Sequence, residues 1–174
     1  MDEIREKKAA LREQLREVRF ELGQAERTVK SRTICRQLKD LYDWTKVRAV
    51  HYFEPMHHLQ EVDLGDFVVW LEDNLPNTQL FTPKLVGTQW QMVSIKDKPA
   101  PDKFDVIIVP MLGFDETLNR IGYGGGYYDA FLATQPKAKK IGVCFEAGRV
   151  KNLPVTDHDI ALDKIVTEAN VYQS

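Results

Sequence analysis

The segment "FDVIIVP" at residues 104–110 is the feature that most narrows the folds open to this chain. It contains four consecutive β-branched residues, from Val106 to Val109. A continuous run of this kind, without polar alternation, is typical of a strand that is covered on both faces in a parallel sheet. Similar runs follow at 139–146 and 163–168, and the segment "YYDAFLAT" before the first of them has helical character.

A strand, a helix and a further strand in this order form the βαβ unit of parallel sheets. We therefore predict an α/β fold with three α/β/α layers, Rossmann-like, around a mostly parallel central sheet. Apolar spacing predicts an N-terminal amphipathic helix over residues 3–22 and two more helices at 29–42 and 64–75. Shorter strands are predicted at 47–53, 78–83 and 89–95, the last two separated by a turn at Gly87.

Length and composition exclude several classes of function. With 174 residues and 43% hydrophobic composition, we expect one core and a single domain over residues 1–174. The 24 Lys and Arg against 26 Asp and Glu give no basic field, so nucleic acid is not an expected partner.

No apolar run approaches the ~18 residues of a membrane span. Cys35 and Cys144 lack the spacing of a zinc site. We expect a monomer in the cytoplasm with reduced thiols.

The stretch "NRIGYGGGYYDAFL" at 119–132 carries four glycines in the five positions 122–126. It is predicted to lie between the central strand and a helix starting near Tyr127, where ligands collect in open parallel sheets. Glycines permit positive φ and let backbone N–H groups approach a phosphate, so the stretch predicts a phosphate cradle. A plain flexible turn is the alternative. The pattern is neither GxxxxGK[ST] nor GxGxxG, so the usual nucleotide motifs do not apply.

The segments "KAALRE" (8–13), "RIGYGGGYYDAFL" (120–132) and "LPVTDHDIALDKIVTE" (153–168) together resemble the 5-formyltetrahydrofolate cyclo-ligase family, also called methenyltetrahydrofolate synthetases. The third segment reproduces the pattern P-x-x-x-H-D-x-x-L-D-x-I-x-T-E. The resemblance implies an enzyme that uses ATP and Mg²⁺ to convert 5-formyltetrahydrofolate into 5,10-methenyltetrahydrofolate, releasing ADP and phosphate.

The resemblance also implies roles for the charged residues. Lys8 and Arg12 lie four apart on one helix face and match the family's K-x-x-L-R, so they are predicted to reach the ATP phosphates and assist the transfer. The alternative is an ordinary solvated face, because the same helix carries other basic residues, among them Arg19. Arg120 is predicted to bind the phosphates and act in catalysis, together with the backbone of Ile121, Gly122, Tyr123, Gly124, Gly125, Gly126, Tyr127 and Tyr128.

Two carboxylates match the family's magnesium ligands. Asp129 and Asp159 come from distant segments and offer the oxygen ligands that a hydrated Mg²⁺ prefers. For Asp129, the alternative is an ordinary acid in the first turn of a helix, where it stabilises the helix dipole.

For the folate, Glu61 takes the position of a family acid that can accept paired hydrogen bonds from a pterin edge. Met56, Tyr123 and Tyr127 are predicted to supply apolar or stacking surface. The sequence departs from the family between residues 95 and 104, where "KDKPAPDK" replaces a longer connection that helps to wall the pocket. Trp90 is the candidate substitute for that wall.

Two other functions are weighed beside the cyclo-ligase. One is a folate- or nucleotide-binding homologue without turnover, which the shortened connection suggests and the retained phosphate-handling residues oppose. The other is a sugar-phosphate isomerase of related architecture, which rests on analogy of fold alone.

Overall fold

The computed structural model of the protein describes residues 2–86, 89–96 and 99–173. Its α-helices are α1 (Asp2–Glu21), α2 (Gln24–Asp40), α3 (Gly65–Asn74) and α4 (Tyr127–Ala133). Its strands are β1 (Ala49–His51), β2 (Gln79–Val86), β3 (Gln89–Ser94), β4 (Val106–Pro110), β5 (Gly113–Phe114), β6 (Arg120–Ile121), β7 (Lys139–Val143), β8 (Lys164–Val166) and β9 (Val171–Gln173).

Within the described residues, seven strands form one sheet in the order β3-β2-β1-β4-β7-β8-β9. The five inner strands are parallel to one another: β2, β1, β4, β7 and β8. The two edge strands, β3 and β9, are antiparallel to their neighbours. Strand β4 pairs with both β1 and β7, and each of its residues is buried. The predicted α/β fold with a mostly parallel sheet and an N-terminal helix is confirmed.

Alternate residues of the central strand enter two separate apolar cores. Val106 and Ile108 pack on one face of the sheet with residues of α2 and α3. Ile107 and Val109 pack on the other face, where α4 contributes Leu132. Because both faces are covered, β4 has no polar face to present, which explains its uninterrupted β-branched run.

Helix α1 packs beside these layers through Leu15, which contacts Leu112, Ile121 and Leu153. Its close approach depends on Gly113, where a Cβ atom would lie 2.7 Å from Leu15 Cδ1 and 2.5 Å from the Gly148 carbonyl oxygen. Protein interiors do not accommodate such short contacts. This packing holds α1 against the segment that leads into the glycine-rich stretch.

Three details differ from the sequence prediction. Helix α2 begins at Gln24, and Val29 is exposed rather than part of the buried stripe. The glycine-rich stretch does not follow the central strand directly, because β5 and β6 pair as a small antiparallel sheet between them. Strand β9 was not predicted.

Gly87, the predicted turn, lies outside the described residues, and so do residues 97 and 98 of the shortened connection. No helix of the described ranges is both long and apolar enough to cross a bilayer.

Candidate functional site

A cleft of about 620 Å³ lies at the carboxyl ends of β1 and β4. The chain passes from β1 outward to β2, and it later returns to place β4 on the other side of β1, so the strand order reverses at this point. Ligands of open α/β sheets bind in such positions. The structure brings every site residue predicted from the sequence to the lining of this cleft: Lys8, Arg12, Met56, Glu61, Arg120, Ile121, Gly122, Tyr123, Gly124, Gly125, Gly126, Tyr127, Tyr128, Asp129 and Asp159.

Residues 122–126, here called the glycine segment, connect β6 to α4 along one wall of the cleft. Gly124 has φ of +98° and Gly126 has φ of +69°, which are left-handed conformations that favour glycine. Gly122 and Gly125 do not have positive φ. Among the described residues, no acceptor is seen for the backbone N–H groups from Tyr123 to Tyr128. A row of free N–H groups on a cleft wall is suited to binding an anion.

Gly125 differs from Gly124 in its surroundings. A Cβ atom on Gly125 would meet nothing within 4 Å, whereas one on Gly124 would lie 3.2 Å from Arg12 Cζ. The Arg12 guanidinium is held against the glycine segment, because its Nε donates a 2.9 Å hydrogen bond to the Gly122 carbonyl oxygen. Arg12 therefore belongs to the cleft wall rather than to a solvated helix face.

Arg120 and Asp129 form an ion pair at the base of the glycine segment. Arg120 Nη2 lies 2.6 Å from Asp129 Oδ1, and the arginine side chain is only 6% exposed. Arg120 Nε is buried and has no partner among the described residues. A buried guanidinium with an unused donor is prepared for a further acceptor, such as a phosphate oxygen.

Lys8 and Asp159 form a second ion pair in the lining of the cleft. Lys8 Nζ lies 2.5 and 2.7 Å from the two oxygens of Asp159, and Thr156 donates to the same carboxylate from its backbone and its hydroxyl. Burial acts to raise the pKa of Asp159, but the hydrogen bonds from Lys8 and Thr156 outweigh burial, and the pKa is lowered. Asp159 is therefore ionised at neutral pH.

The two carboxylates lie on neighbouring segments, since the Ile160 amide is 3.5 Å from Asp129 Oδ1. In the part of the chain that the structure describes, no three His, Cys, Asp or Glu side chains gather into a metal-binding group. A hydrated Mg²⁺ needs no such group, because it is usually held by one or two carboxylates together with substrate phosphates. The donor set of Asp129 and Asp159 fits that kind of site.

Glu61 lies in the loop for which the sequence predicts contacts with folate, lines the same cleft, and is 8% exposed. Its Oε2 accepts a 2.6 Å hydrogen bond from the Met56 amide, while Oε1 is buried without a hydrogen-bond partner among the described residues. Burial raises the pKa of Glu61, and the Met56 amide, the Tyr123 hydroxyl and the Arg19 charge act against that rise. The unpartnered oxygen is an acceptor available to a ligand.

Trp90 of β3 lines the cleft. Its ring centroid is 5.3 Å from that of Tyr127, and Tyr127 in turn stacks on Phe131 at 6.0 Å. Trp90 is 50% exposed. The predicted substitution of Trp90 for the missing wall is compatible with this position, and its contact with folate stays a prediction.

Sequence reasoning missed Arg19, which it grouped with the solvated charges of α1. The structure corrects this: Arg19 is 5% exposed and donates to the Tyr123 hydroxyl at 2.7 Å and to the Met111 carbonyl oxygen. A signal was present in the spacing, because Arg19 follows Arg12 by seven residues and Leu15 by four, and these intervals share one face of a helix.

The C-terminal motif divides into a site residue and structural residues. Asp159 reaches the cleft, whereas Asp163 accepts from the Lys140 amide at 2.7 Å at the start of β7. Glu168 pairs with Lys30 of α2 at 2.5 Å and accepts from the Glu146 amide. Asp163 and Glu168 therefore tie α2, β7 and β8 together, whereas Asp159 lines the cleft.

The fold and the cleft define an α/β protein whose ligand site combines free backbone N–H groups, cations and carboxylates at a reversal of strand order. The sequence model of the 5-formyltetrahydrofolate cyclo-ligase family matches residues 74–168. The chain belongs to this family.

Individual relatives agree with that assignment. The chain is 34% identical over 83 residues to a 5-formyltetrahydrofolate cyclo-ligase of Escherichia coli, covering 47% of this chain and 46% of that protein. It is 26% identical over 179 residues to a probable 5-formyltetrahydrofolate cyclo-ligase of Schizosaccharomyces pombe, covering 82% and 85%. The match to the E. coli protein thus spans about half of that relative's length.

A solved structure shows the same fold. A 5,10-methenyltetrahydrofolate synthetase from Mycoplasma pneumoniae superposes with a TM-score of 0.81 at 24% identity, covering 92% of this chain and 98% of that one.

Proposed function

We propose that this protein is an ATP- and Mg²⁺-dependent cyclo-ligase that converts 5-formyltetrahydrofolate into 5,10-methenyltetrahydrofolate. The observation that carries the proposal is one cleft lined by two chemically different groups of residues, here called its two halves, in a chain of this family. One half contains Arg12, Arg120 and the free N–H groups of the glycine segment. The other half contains Glu61, with a buried oxygen that lacks a partner among the described residues.

The first half is suited to the triphosphate of ATP. Guanidinium groups match phosphate geometry through paired donors, and backbone N–H groups beside glycines can approach phosphate oxygens closely. Helix α4 has only seven residues, so we assign the anion preference to the side-chain cations and the glycine segment rather than to the dipole of this helix.

The second half is suited to the pterin ring. The amino-pyrimidinone edge presents two adjacent N–H donors, and a carboxylate can accept both. Glu61 lines the cleft, and its Oε2 accepts a hydrogen bond from the Met56 amide. This bond sets the orientation of the carboxylate before a ligand arrives. The rings of Tyr127 and Trp90 offer stacking surface in the same cleft.

The chemistry follows from the low reactivity of the formyl amide. Attack of the formyl oxygen on the γ-phosphate breaks the bond to the β-phosphate, releases ADP and gives a phosphorylated iminium. N10 then attacks the iminium carbon and loses its proton to solvent, and the ring closes as phosphate leaves. This transfer depends on positioning and on neutralising charge rather than on a nucleophilic side chain. Arg12 and Arg120 would stabilise the charge on the transferred group, and Lys8 would do so once it separates from Asp159.

Mg²⁺, when bound, would neutralise phosphate oxygens, and Asp129 and Asp159 are the residues that would hold it. Both carboxylates are paired with a cation in this structure. Their charges are therefore balanced before ligands bind, and entry of metal and nucleotide would exchange one set of partners for another.

Turnover is the test of this function. Purified protein incubated with 5-formyltetrahydrofolate and MgATP is expected to form the methenyl product, which is followed by its near-ultraviolet absorbance, together with an equal amount of ADP. Binding of both ligands without product would identify the non-catalytic homologue instead. Absence of folate binding would reject the proposal.

Replacing Glu61 by Gln is expected to raise the KM for 5-formyltetrahydrofolate about tenfold and to leave the KM for ATP nearly unchanged. The amide side chain carries no charge and turns a donor toward the pterin donors, and a buried polar group left unpaired costs ~1–3 kcal/mol. Steady-state kinetics with each substrate varied in turn measures the effect.

Glu116→Gln is the matched control, since Glu116 pairs with Arg149 at 2.5 Å on an exposed surface outside the cleft. Its loss is expected to change neither KM, because exposed ion pairs contribute little. A parallel rise of both KM values in Glu61→Gln would mean that Glu61 acts on the structure of the cleft and not on folate.

A further inference from the structure

A second cavity, of about 480 Å³, adjoins the loop of residues 56–61, here called the Glu61 loop. Its lining includes His57, Gln60 and Glu61 of this loop, together with residues of α2 and of the start of α3. Because Glu61 also lines the cleft, the same loop borders both cavities. The structure describes all of residues 54–60, and none of them is buried. Apolar burial therefore does little to fix this segment, and its position depends on polar contacts.

Hydrogen bonds within the Glu61 loop close it into a compact turn. The Leu59 amide donates to the Met56 carbonyl oxygen at 2.9 Å, and the Gln60 amide donates to the His57 carbonyl oxygen at 3.1 Å. The Met56 amide donates in turn to Glu61 Oε2 at 2.6 Å. These bonds hold the carboxylate relative to the loop, but they do not attach the loop to the rest of the protein.

Gln60 has an unusual backbone conformation directly before Glu61. Its φ of +53° and ψ of +43° lie in the left-handed region. A residue with a Cβ atom is disfavoured there and keeps this conformation only where its surroundings hold it. Since Gln60 precedes Glu61 in the chain, its conformation sets the direction in which the backbone enters Glu61.

The side chain of Gln60 is held by Arg27 of α2. Arg27 Nη1 donates to Gln60 Oε1 at 2.9 Å, and it also donates to the Leu22 carbonyl oxygen. Leu22 lies between the end of α1 and the start of α2. One guanidinium thus connects the Glu61 loop to the junction of two helices, through hydrogen bonds that its charge strengthens.

We propose that Arg27 is a positioning residue for folate recognition, because it anchors Gln60 and so fixes the direction of the Glu61 carboxylate. The inference rests on the proposed function, since it assumes that Glu61 binds the pterin edge. It extends that function by making folate affinity depend on a contact outside the cleft. Without this contact the second cavity gives the loop space to shift, and the unpartnered Glu61 Oε1 loses its fixed position.

Calorimetry with 5-formyltetrahydrofolate in the absence of nucleotide tests the inference. Arg27→Met and Gln60→Leu each remove the hydrogen bond while keeping most of the side-chain volume, and each is expected to weaken folate binding about tenfold. MgATP binding should not change, because neither residue lines the cleft. Arg27→Lys retains a charged donor and is expected to restore most of the folate affinity.

Combination with Glu61→Gln separates positioning from a direct or general structural effect. A residue that acts through the Glu61 carboxylate has little left to contribute once that carboxylate is removed, because the effects of coupled residues do not add. Arg27→Met introduced into the Glu61→Gln protein is therefore expected to cause at most about a twofold further loss of folate affinity.

Arg32→Met is the matched control. Arg32 also belongs to α2 and lines the second cavity, but its side chain is 71% exposed and lies 3.7 Å from Asp66 in an exposed ion pair. It is expected to bind folate as the wild type does. Wild-type affinity in Arg27→Met, or a full tenfold loss when Arg27→Met is added to Glu61→Gln, overturns the inference and leaves the proposed function standing. Wild-type protein that binds no 5-formyltetrahydrofolate overturns both.

Discussion

Asp129→Asn is expected to lower kcat at least about 100-fold, the size of effect seen when one stabilising group is removed from a charged transition state. The substitution removes a predicted Mg²⁺ ligand and also the carboxylate that pairs with Arg120 at 2.6 Å. Because Arg120 is almost fully buried, its loss of a charged partner should also lower the melting temperature. Single-turnover rates measured well below that temperature separate the catalytic effect from the loss of stability.

Asp73→Asn provides the comparison for Asp129→Asn, because Asp73 is an exposed residue of α3 that does not line the cleft. It is expected to retain the wild-type rate. Chelation tests the metal directly: the wild-type rate should vanish with excess chelator and return with added Mg²⁺. A chelated enzyme that keeps turning over, or an Asp129→Asn rate within tenfold of wild type, would remove Mg²⁺ from the account.

Gly125→Ala is expected to weaken MgATP binding about 100-fold while leaving the melting temperature unchanged. Gly125 does not have positive φ, and the added methyl group would meet no atom of the protein within 4 Å. It would instead occupy space that a phosphate needs in order to reach the free N–H groups, and each charge-assisted hydrogen bond lost costs ~1.5–3 kcal/mol. Calorimetry with MgATP and thermal unfolding measure the two effects on the same sample.

Gly124→Ala serves as the contrast. Gly124 has φ of +98°, and its Cβ would approach Arg12 Cζ to 3.2 Å, so this variant should lose stability as well as affinity. The left-handed conformation alone costs ~1–2 kcal/mol for a residue with a side chain. Normal MgATP affinity in a stable Gly125→Ala protein would mean that the glycine segment is only a turn.

The mostly parallel character of the sheet could be predicted because each inner strand carries its own signal. The β-branched run of β4 and the helical pattern of α4 before β7 specify a parallel βαβ unit without long-range information. Strands β5 and β6 have two residues each, too few to show any periodicity, and the short edge strand β9 is defined by its pairing with β8. Such elements depend on tertiary contacts that no local pattern records.

The sequence could predict residues that line the cleft, but it could not predict their arrangement. The cluster of glycines marked the segment, yet composition could not indicate that Gly124 and Gly126, rather than Gly125, have positive φ. Similarly, Arg12 and Arg19 look alike in sequence as basic residues of an amphipathic helix. In the structure Arg12 lines the cleft, whereas Arg19 is a buried partner of Tyr123. This difference depends on how α1 packs over Gly113.

The most direct measurement of the proposed chemistry follows the formyl oxygen. With 5-formyltetrahydrofolate labelled by oxygen-18 at the formyl group, a single turnover with MgATP should produce the methenyl product and inorganic phosphate that carries the label, detected by mass spectrometry. Transfer of the label to phosphate requires that the formyl oxygen attacks the γ-phosphate in this cleft. Methenyl product accompanied by unlabelled phosphate, or hydrolysis of ATP without product, would contradict the account.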